Sequence, residues 1–417
     1  MILSFSTALS GLNANSSAIN VIGNDLANLN TTGYKANQVH FSDLISQQLG
    51  VPGSSGQTGM GVSKIKTSVN YTQGSLQNSN GATDAAVQGN GFFVVKSTGN
   101  QTLYTRDGSF QVNSAGQLTT SGGEAIQGWS AVGGVLNTNS AIGNISVPLG
   151  AAVPATATSK ISLAVNLDSR SPTTGTGNSF STPIQVVDSL GSRHTVTATF
   201  NKTAANTWSY SLAVPPAELT AGGTGEVATG TLTFDSMGKL ATPALANPSP
   251  IINIAGLAGG AADMNITWDL RDSSGVSTIT QFADTSAAAG SVQNGYASGQ
   301  INKISLQDGG LLVANYSNGQ QVTVGQLALA SISNPNTLIS VGGNRLAATA
   351  STAEASVGTA NSGPRGQIVA GALEGSTVDI AQAFTNLLTF QRGYQANSRV
   401  ITTTDQLLQE TVNLIRA

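Results

Sequence analysis

The sequence predicts an α+β protein whose N- and C-terminal helices pair as a coiled-coil-like domain, with two nested, mainly antiparallel β domains between them. Two observations carry this. Apolar residues recur in alternating steps of three and four at both ends of the chain, whereas the long middle shows short alternating runs broken by turn residues. The ends must therefore meet in space, and the intervening chain must leave and return to one place.

The C-terminal walk reads Ile380, Ala383, Leu387, Phe390, Tyr394, Asn397, Ile401, Thr404, Leu408, Thr411, Ile415. Gly393 is the only glycine after Gly375, so a helix from residue 378 to 416 meets no breaker. At ~1.5 Å per residue it reaches about 55 Å, more than a compact β domain covers. The N-terminal walk supplies a partner: Met1, Phe5, Ala8, Leu12, Asn15, Ile19, Ile22, Leu26, Leu29. Polar residues within both seams (Asn15, Asn397, Thr404, Thr411) weaken the pairing but restrict its register. The large seam residues Phe5, Leu12, Ile19, Ile22, Leu26, Ile380, Leu387, Phe390, Tyr394, Ile401, Leu408 and Ile415 are the expected interface between subunits.

Asn30, Thr31, Thr32 and Gly33 end the first helix. Residues 31–80 read as an extended linker, with Gly/Ser-rich 49–61 and an isolated strand near 62–69. Short runs between turn signals place an inner β domain at 81–148, returning at 285–348. A second β domain, 149–284, is inserted between its halves, with hairpin turns at 188–192 and 235–238. Residues 349–375 form a second linker, and 376–417 with 1–30 complete the helical domain. The linker glycines Gly50, Gly53, Gly56, Gly59, Gly61, Gly358, Gly363 and Gly366 are hinge candidates.

Composition narrows the function. Charged residues make up 9% of the chain, against about 25% in ordinary soluble proteins. The net charge of −3 comes without a basic patch, which argues against nucleic acid. The chain lacks cysteine, excluding disulfide and thiolate chemistry. No stretch approaches the ~20 apolar residues of a membrane span, so membrane insertion is not expected. No lysine or arginine precedes Lys35, so a conventional cleaved signal is not expected either.

No catalytic constellation stands out. Asp188, Ser192 and His194 are triad residue types but lie in one predicted hairpin, where turn and strand roles account for them. Asp269, Arg271 and Asp272 sit at a strand end, and no carboxylate cluster has metal-ligand spacing. Neither an enzyme nor a cofactor is expected.

The residues from Asn24 through Ala27, Asn28, Thr31, Gly33, Tyr34 and Lys35 resemble the N-terminal signature of the bacterial flagellar axial proteins, a family of rod, hook and hook-associated subunits. Asp25 and Tyr34 depart mildly from its usual asparagine and phenylalanine. Four further blocks resemble the family in its order: residues 84–95 with Gly89, Gly91, Phe92 and Phe93; residues 104–110; residues 371–379; and residues 391–397 with Arg392 and Asn397. Arg392 is expected in a polar contact beside the seam, and Tyr394 within it.

The resemblance implies a homopolymer exported by the flagellar type III apparatus and assembled outside the cell. The length, with room for an inserted β domain, suits a hook-type member: one subunit type forming a curved tube that acts as a universal joint. The implied partners are rod, hook-cap and hook–filament junction proteins. A distal rod subunit is the alternative that the 49–61 segment favours; a secreted β-rich adhesin is the alternative from another class.

Overall fold

In the computed structural model the described residues are 2–44, 47–48, 57–150, 152–220, 225–244, 249–272 and 274–416, with only the backbone described at 2, 3, 47, 48, 57, 58, 415 and 416. The fold is α+β, and the chain divides into two compact units. The first comprises residues 1–149, 303–315 and 321–417, the second 150–302 and 316–320.

In the first unit, helix α1 (Ile2–Ala27) packs along helix α2 (Ile380–Arg416). The pairing is antiparallel: Gly11 meets Asn397 and Asn15 meets Gly393. The seam keeps Ala8 and Ile22 of the expected walk, but Gly11, Ala18 and Asp25 close on the surroundings in place of their neighbours Leu12, Ile19 and Leu26. The buried face of α1 is Ala8, Gly11, Ala14, Ala18, Ile22 and Asp25, with Asn15 half-buried beside Ala14, as regular a three-four repeat as the expected one. Small residues win because they let the backbones approach, and a close approach brings more atoms into contact than bulky ridges held apart. Leu12, Ile19, Leu26, Leu387, Phe390 and Ile401 are consequently only partly covered, whereas Phe5, Ile380, Tyr394 and Leu408 are exposed. The side chain of Ile415 lies outside the described residues.

Within residues 37–69, expected as linker with an isolated strand, the described residues pair antiparallel. Asn37–His40 pairs antiparallel with Lys66–Val69, Asp43 bridges Val62, and Gln47–Gln48 pairs with Gln57–Thr58. This segment contacts the helices: the Phe41 ring is 5.6 Å from that of Phe390, and Val62 N donates to Ser10 Oγ at 3.1 Å. A Cβ on Gly61 (φ +96°) would run into Ser10 Oγ. Gly61 is therefore closely packed in this structure. The same holds for Gly358, where a Cβ would lie 2.5 Å from Arg365 Nη2, and for Gly366, which is pressed on the Gln88 carbonyl. Gly363 occupies a left-handed turn, Gly59 has open space around it, and Gly50, Gly53 and Gly56 lie outside the described residues.

The largest sheet among the described residues of this unit is one in which the two sequence halves interleave. Ala125–Ser130 lies between Phe92–Lys96 and Gln321–Leu327, and Thr102–Thr105 lies next to Arg345–Ala347. Phe93 and Phe110 meet edge-on at 4.9 Å in its core. Two short strands return to the earlier chain: Gln367–Ala370 on Ala85–Gln88, and Ala372–Glu374 on Leu76–Asn78.

The second unit packs two five-stranded sheets around Trp208, Trp268, Phe200 and Tyr210; burying side chains of this size contributes ~2–3 kcal/mol each. One sheet is an antiparallel meander from Ser179–Val187 to Leu240–Thr242. The other is mixed: Lys160–Asp168 runs parallel to both Met264–Asp269 and Ile279–Phe282. Ala287–Gln293 pairs antiparallel with the same strand, so the unit continues past residue 284 to 302.

Candidate functional site

Four of the sequence blocks converge where the terminal helices leave the β region. The chain leaving α1 and the chain entering α2 are stitched together: Gly33 N donates to Glu374 O at 2.8 Å, Thr377 N to Tyr34 O at 3.1 Å, and Ala36 N to Thr377 Oγ1 at 2.8 Å. Gly33 has φ +69°, and a Cβ on it would lie 2.7 Å from the Arg106 carbonyl carbon, so only glycine passes here without strain.

At the centre is a buried ion triad. Lys35 Nζ lies 2.6 Å from Glu374 Oε1, and Arg106 Nη1 lies 3.0 Å from Glu374 Oε2, with the Glu374 side chain fully buried. Burial of such charges costs several kcal/mol each unless their donors and acceptors are met. Here most are. Glu374 Oε1 also accepts from Gly74 N at 2.9 Å, Lys35 Nζ donates to Thr72 O at 2.7 Å, and Arg106 Nη2 donates to Gly89 O at 2.7 Å. The Arg106 guanidinium also lies over the Phe92 ring at 5.3 Å. Burial pulls the Lys35 ammonium below its ordinary pKa; Glu374 opposes this and Arg106 adds to it. Two cations on one anion make a junction that binds helix exit, sheet and helix entry together.

A second cluster fixes the last turn of α1. Buried Asp25 accepts from Tyr34 Oη at 2.8 Å, Asn37 N at 3.0 Å and Asn37 Nδ2 at 3.0 Å, while Asn24 Nδ2 donates to Tyr34 Oη at 3.0 Å. Burial, then the hydrogen bond and charge of Asp25, hold the Tyr34 hydroxyl well above its ordinary pKa. Asn28 Nδ2 donates to Asn24 O at 2.9 Å and accepts through Oδ1 from Thr31 Oγ1 at 3.1 Å, closing the helix end.

The other sequence-selected residues fall as follows. Gly89 (φ +90°) and Gly91 (φ +130°) make the turn before buried Phe92 and Phe93, while Ala27 is exposed. Asn397 sits on Gly11, but Arg392 is exposed, without the expected polar contact among the described residues. Asp188 and His194 do meet, at 2.9 Å, but the other ring nitrogen is held by Glu218 at 2.7 Å, leaving none to activate a serine. Sequence reasoning did not single out Arg106, Glu374 or Asp25 as site residues. The available signal was a glutamate inside the apolar pattern of residues 372–374 in a chain with few charges. Among the described residues no cluster of His, Asp or Glu is arranged to hold a metal, and no helix is long and apolar enough to cross a membrane.

Four family models match segments near both ends and through the middle of the chain. They are described as flagella basal body rod protein (residues 5–35), flagellar hook protein FlgE/F/G D1 domain (86–166), flagellar basal body protein FlaE D2 domain (156–296) and flagellar basal body rod FlgEFG protein C-terminal (369–414). The flagellar hook protein FlgE of Treponema pallidum is 32% identical over 464 residues, covering 100% of both chains. That of Escherichia coli K12 is 31% identical over 425 residues, covering 99% of this chain and 100% of its own. The crystal structure of Helicobacter pylori flagellar hook protein FlgE2 aligns at a TM-score of 0.48 and 13% identity, covering 65% of this chain and 93% of its own. The full-length sequence relatives carry the assignment: the chain belongs to the flagellar hook protein FlgE family.

Proposed function

We propose that this hook subunit polymerises through its terminal helices into a curved helical tube that passes motor torque from rod to filament as a universal joint. The observation that supports it is the uncovered apolar surface of α2. At the register set by Gly11 and Asn397, α1 runs out opposite about residue 406. Beyond it Leu407, Leu408, Val412 and Leu414 are exposed, and Ile380, Phe384 and Leu388 are exposed on the paired part. A chain with a helix this long and apolar needs further copies to cover it, and a head-to-tail contact that does not close gives an open helical polymer.

In this reading the ion triad is the fixed point through which load passes between the helices and the β sheet. Export through the flagellar type III apparatus, an extracellular position, and contacts with rod, hook-cap and junction proteins belong to the same proposal. Electron microscopy of the purified chain under polymerising salt tests it, beside a chain ending at residue 377. Curved tubes from the full chain and none from the truncation are expected. Straight tubes would indicate a rod subunit, and monomers from both would refute the proposal.

A further inference from the structure

His194 opens the strand Arg193–Ala204, with its ring buried and both nitrogens engaged. Nε2 lies 2.9 Å from Asp188 Oδ2 and Nδ1 lies 2.7 Å from Glu218 Oε2. Ionised carboxylates only accept, and a neutral imidazole has a single N–H to donate. Only the imidazolium satisfies both partners. The neutral ring would turn a lone pair towards one of them.

The two carboxylates are held very differently. Asp188 is buried, and its Oδ1 accepts from Leu190 N at 2.9 Å and Ser192 N at 2.8 Å, locking the turn between Ser179–Val187 and Arg193–Ala204. Glu218 is 31% exposed and ends the short 3-10 turn Pro216–Glu218. That turn belongs to a strap, residues 214–220, lying over the end of the core through Val214 and Leu219. The strap is tied down by Thr220 N on Gly256 O at 2.8 Å and Ala258 N on Glu218 O at 2.9 Å.

We propose that His194 is a proton-operated latch: protonated, it ties the strap to the Asp188 turn; neutral, it keeps Asp188 and releases Glu218. Glu218 is the one released because it is already partly hydrated, whereas Asp188 is fixed by its own turn. The charged groups facing the ring are these two carboxylates, one from the turn and one from the strap. The cross-strand neighbour is Val186, and Arg193 is exposed on the other face of the strand. Burial alone would lower the ring's pKa, but the hydrogen bonds and charges of Asp188 and Glu218 outweigh it and hold it above the ordinary 6.5. A raised histidine pKa gives stability that is complete below 6.5 and is lost as pH rises through the folded value.

The test is hydrogen exchange of the full chain across neutral to alkaline pH, corrected for intrinsic rates, with the His194 imidazole titrated in parallel by long-range proton–nitrogen NMR. The amides of residues 218–220 should lose protection by about tenfold per unit of pKa displacement, following the His194 midpoint, with strands 193–204 and 207–213 unchanged. Glu218→Gln drops the charge and offers both an acceptor for the protonated ring and an N–H donor for the neutral one, so its midpoint should fall and its strap should become insensitive to pH. A midpoint at or below 6.5, protection that does not follow it, or the same loss in Glu218→Gln would each overturn the latch.

Discussion

Asn397 rests on the bare α-carbon of Gly11, so close that a Cβ there would lie 2.7 Å from its Nδ2. The contact has a reciprocal four residues away on α1, where a Cβ on Gly393 would lie 2.8 Å from Asn15 Oδ1. Asn15 cannot swing aside freely, because its Nδ2 donates to Gly11 O at 2.7 Å. Each asparagine thus fills the space that the opposite glycine leaves, and the two pairs fix both the distance and the register of the helices.

This arrangement separates two effects of replacing glycine by alanine. In an open helix the change gains about 1 kcal/mol of propensity. Gly23, with nothing within 4 Å of its would-be Cβ, should show that gain. Gly11→Ala and Gly393→Ala should instead lose about 1–2 kcal/mol net, because overpacking outweighs propensity. Denaturation followed by circular dichroism at the helix band decides it, and stabilisation by all three would refute the Gly/Asn register.

The ion triad predicts an order of damage. Glu374→Ala leaves two buried cations facing each other and should cost about 3–5 kcal/mol. Lys35→Met is expected to cost markedly less, because the remaining Glu374–Arg106 pair is balanced and the methionine keeps much of the lysine stem's packing. Urea unfolding of both variants measures the difference. Equal losses would mean that packing, not charge balance, holds the junction.

Asp25 and Tyr34, the two departures from the family signature, are hydrogen-bonded to each other. The hydroxyl that distinguishes tyrosine from phenylalanine donates to the carboxylate that distinguishes Asp25 from asparagine. Asp25→Asn and Tyr34→Phe should each destabilise by about 1 kcal/mol, and the double variant by less than their sum, with a coupling of ~0.5–1 kcal/mol in a double-mutant cycle. Additive losses would refute the pairing. The pH dependence has a defined sign. The unfolded phenol ionises near 10 while the folded one keeps its proton, so its stabilisation is present below pH 10 and is lost above it. Tyr34→Phe should lack that part of the alkaline loss.

The helical ends and the alternating middle were legible because each follows a period that local sequence displays. The intramolecular face of α1 was only half legible: the apolar walk includes the buried Ala8 and Ile22, but counts Leu12 and Ile19 where packing selected Gly11 and Ala18 beside them. Such a face carries no hydrophobic signal. The triad was hidden for another reason: Lys35 and Glu374 are 339 positions apart, and only the folded chain brings them together. The pairing of residues 37–40 with 66–69 was hidden by its composition, since its register rests on backbone pairing and on the nearby Gly61–Ser10 contact rather than on a buried apolar row.

The same division between small and large residues yields a prediction that separates folding from assembly. Ala18 is fully buried in the helix pair, and Ala18→Leu should destabilise the isolated subunit by about 1–3 kcal/mol through overpacking. Phe384 and Leu388 are exposed on α2, so Phe384→Ser and Leu388→Ser should leave subunit stability within about 0.5 kcal/mol of the parent. If neighbouring copies cover that face, the serine variants should nevertheless fail to form tubes, or raise the protein concentration needed several-fold. Sedimentation of assembled against free chain, paired with a melt of each variant, reads both quantities. Serine variants that assemble normally would place the subunit contact on another face of α2, and variants that melt early would show that these side chains serve the fold itself.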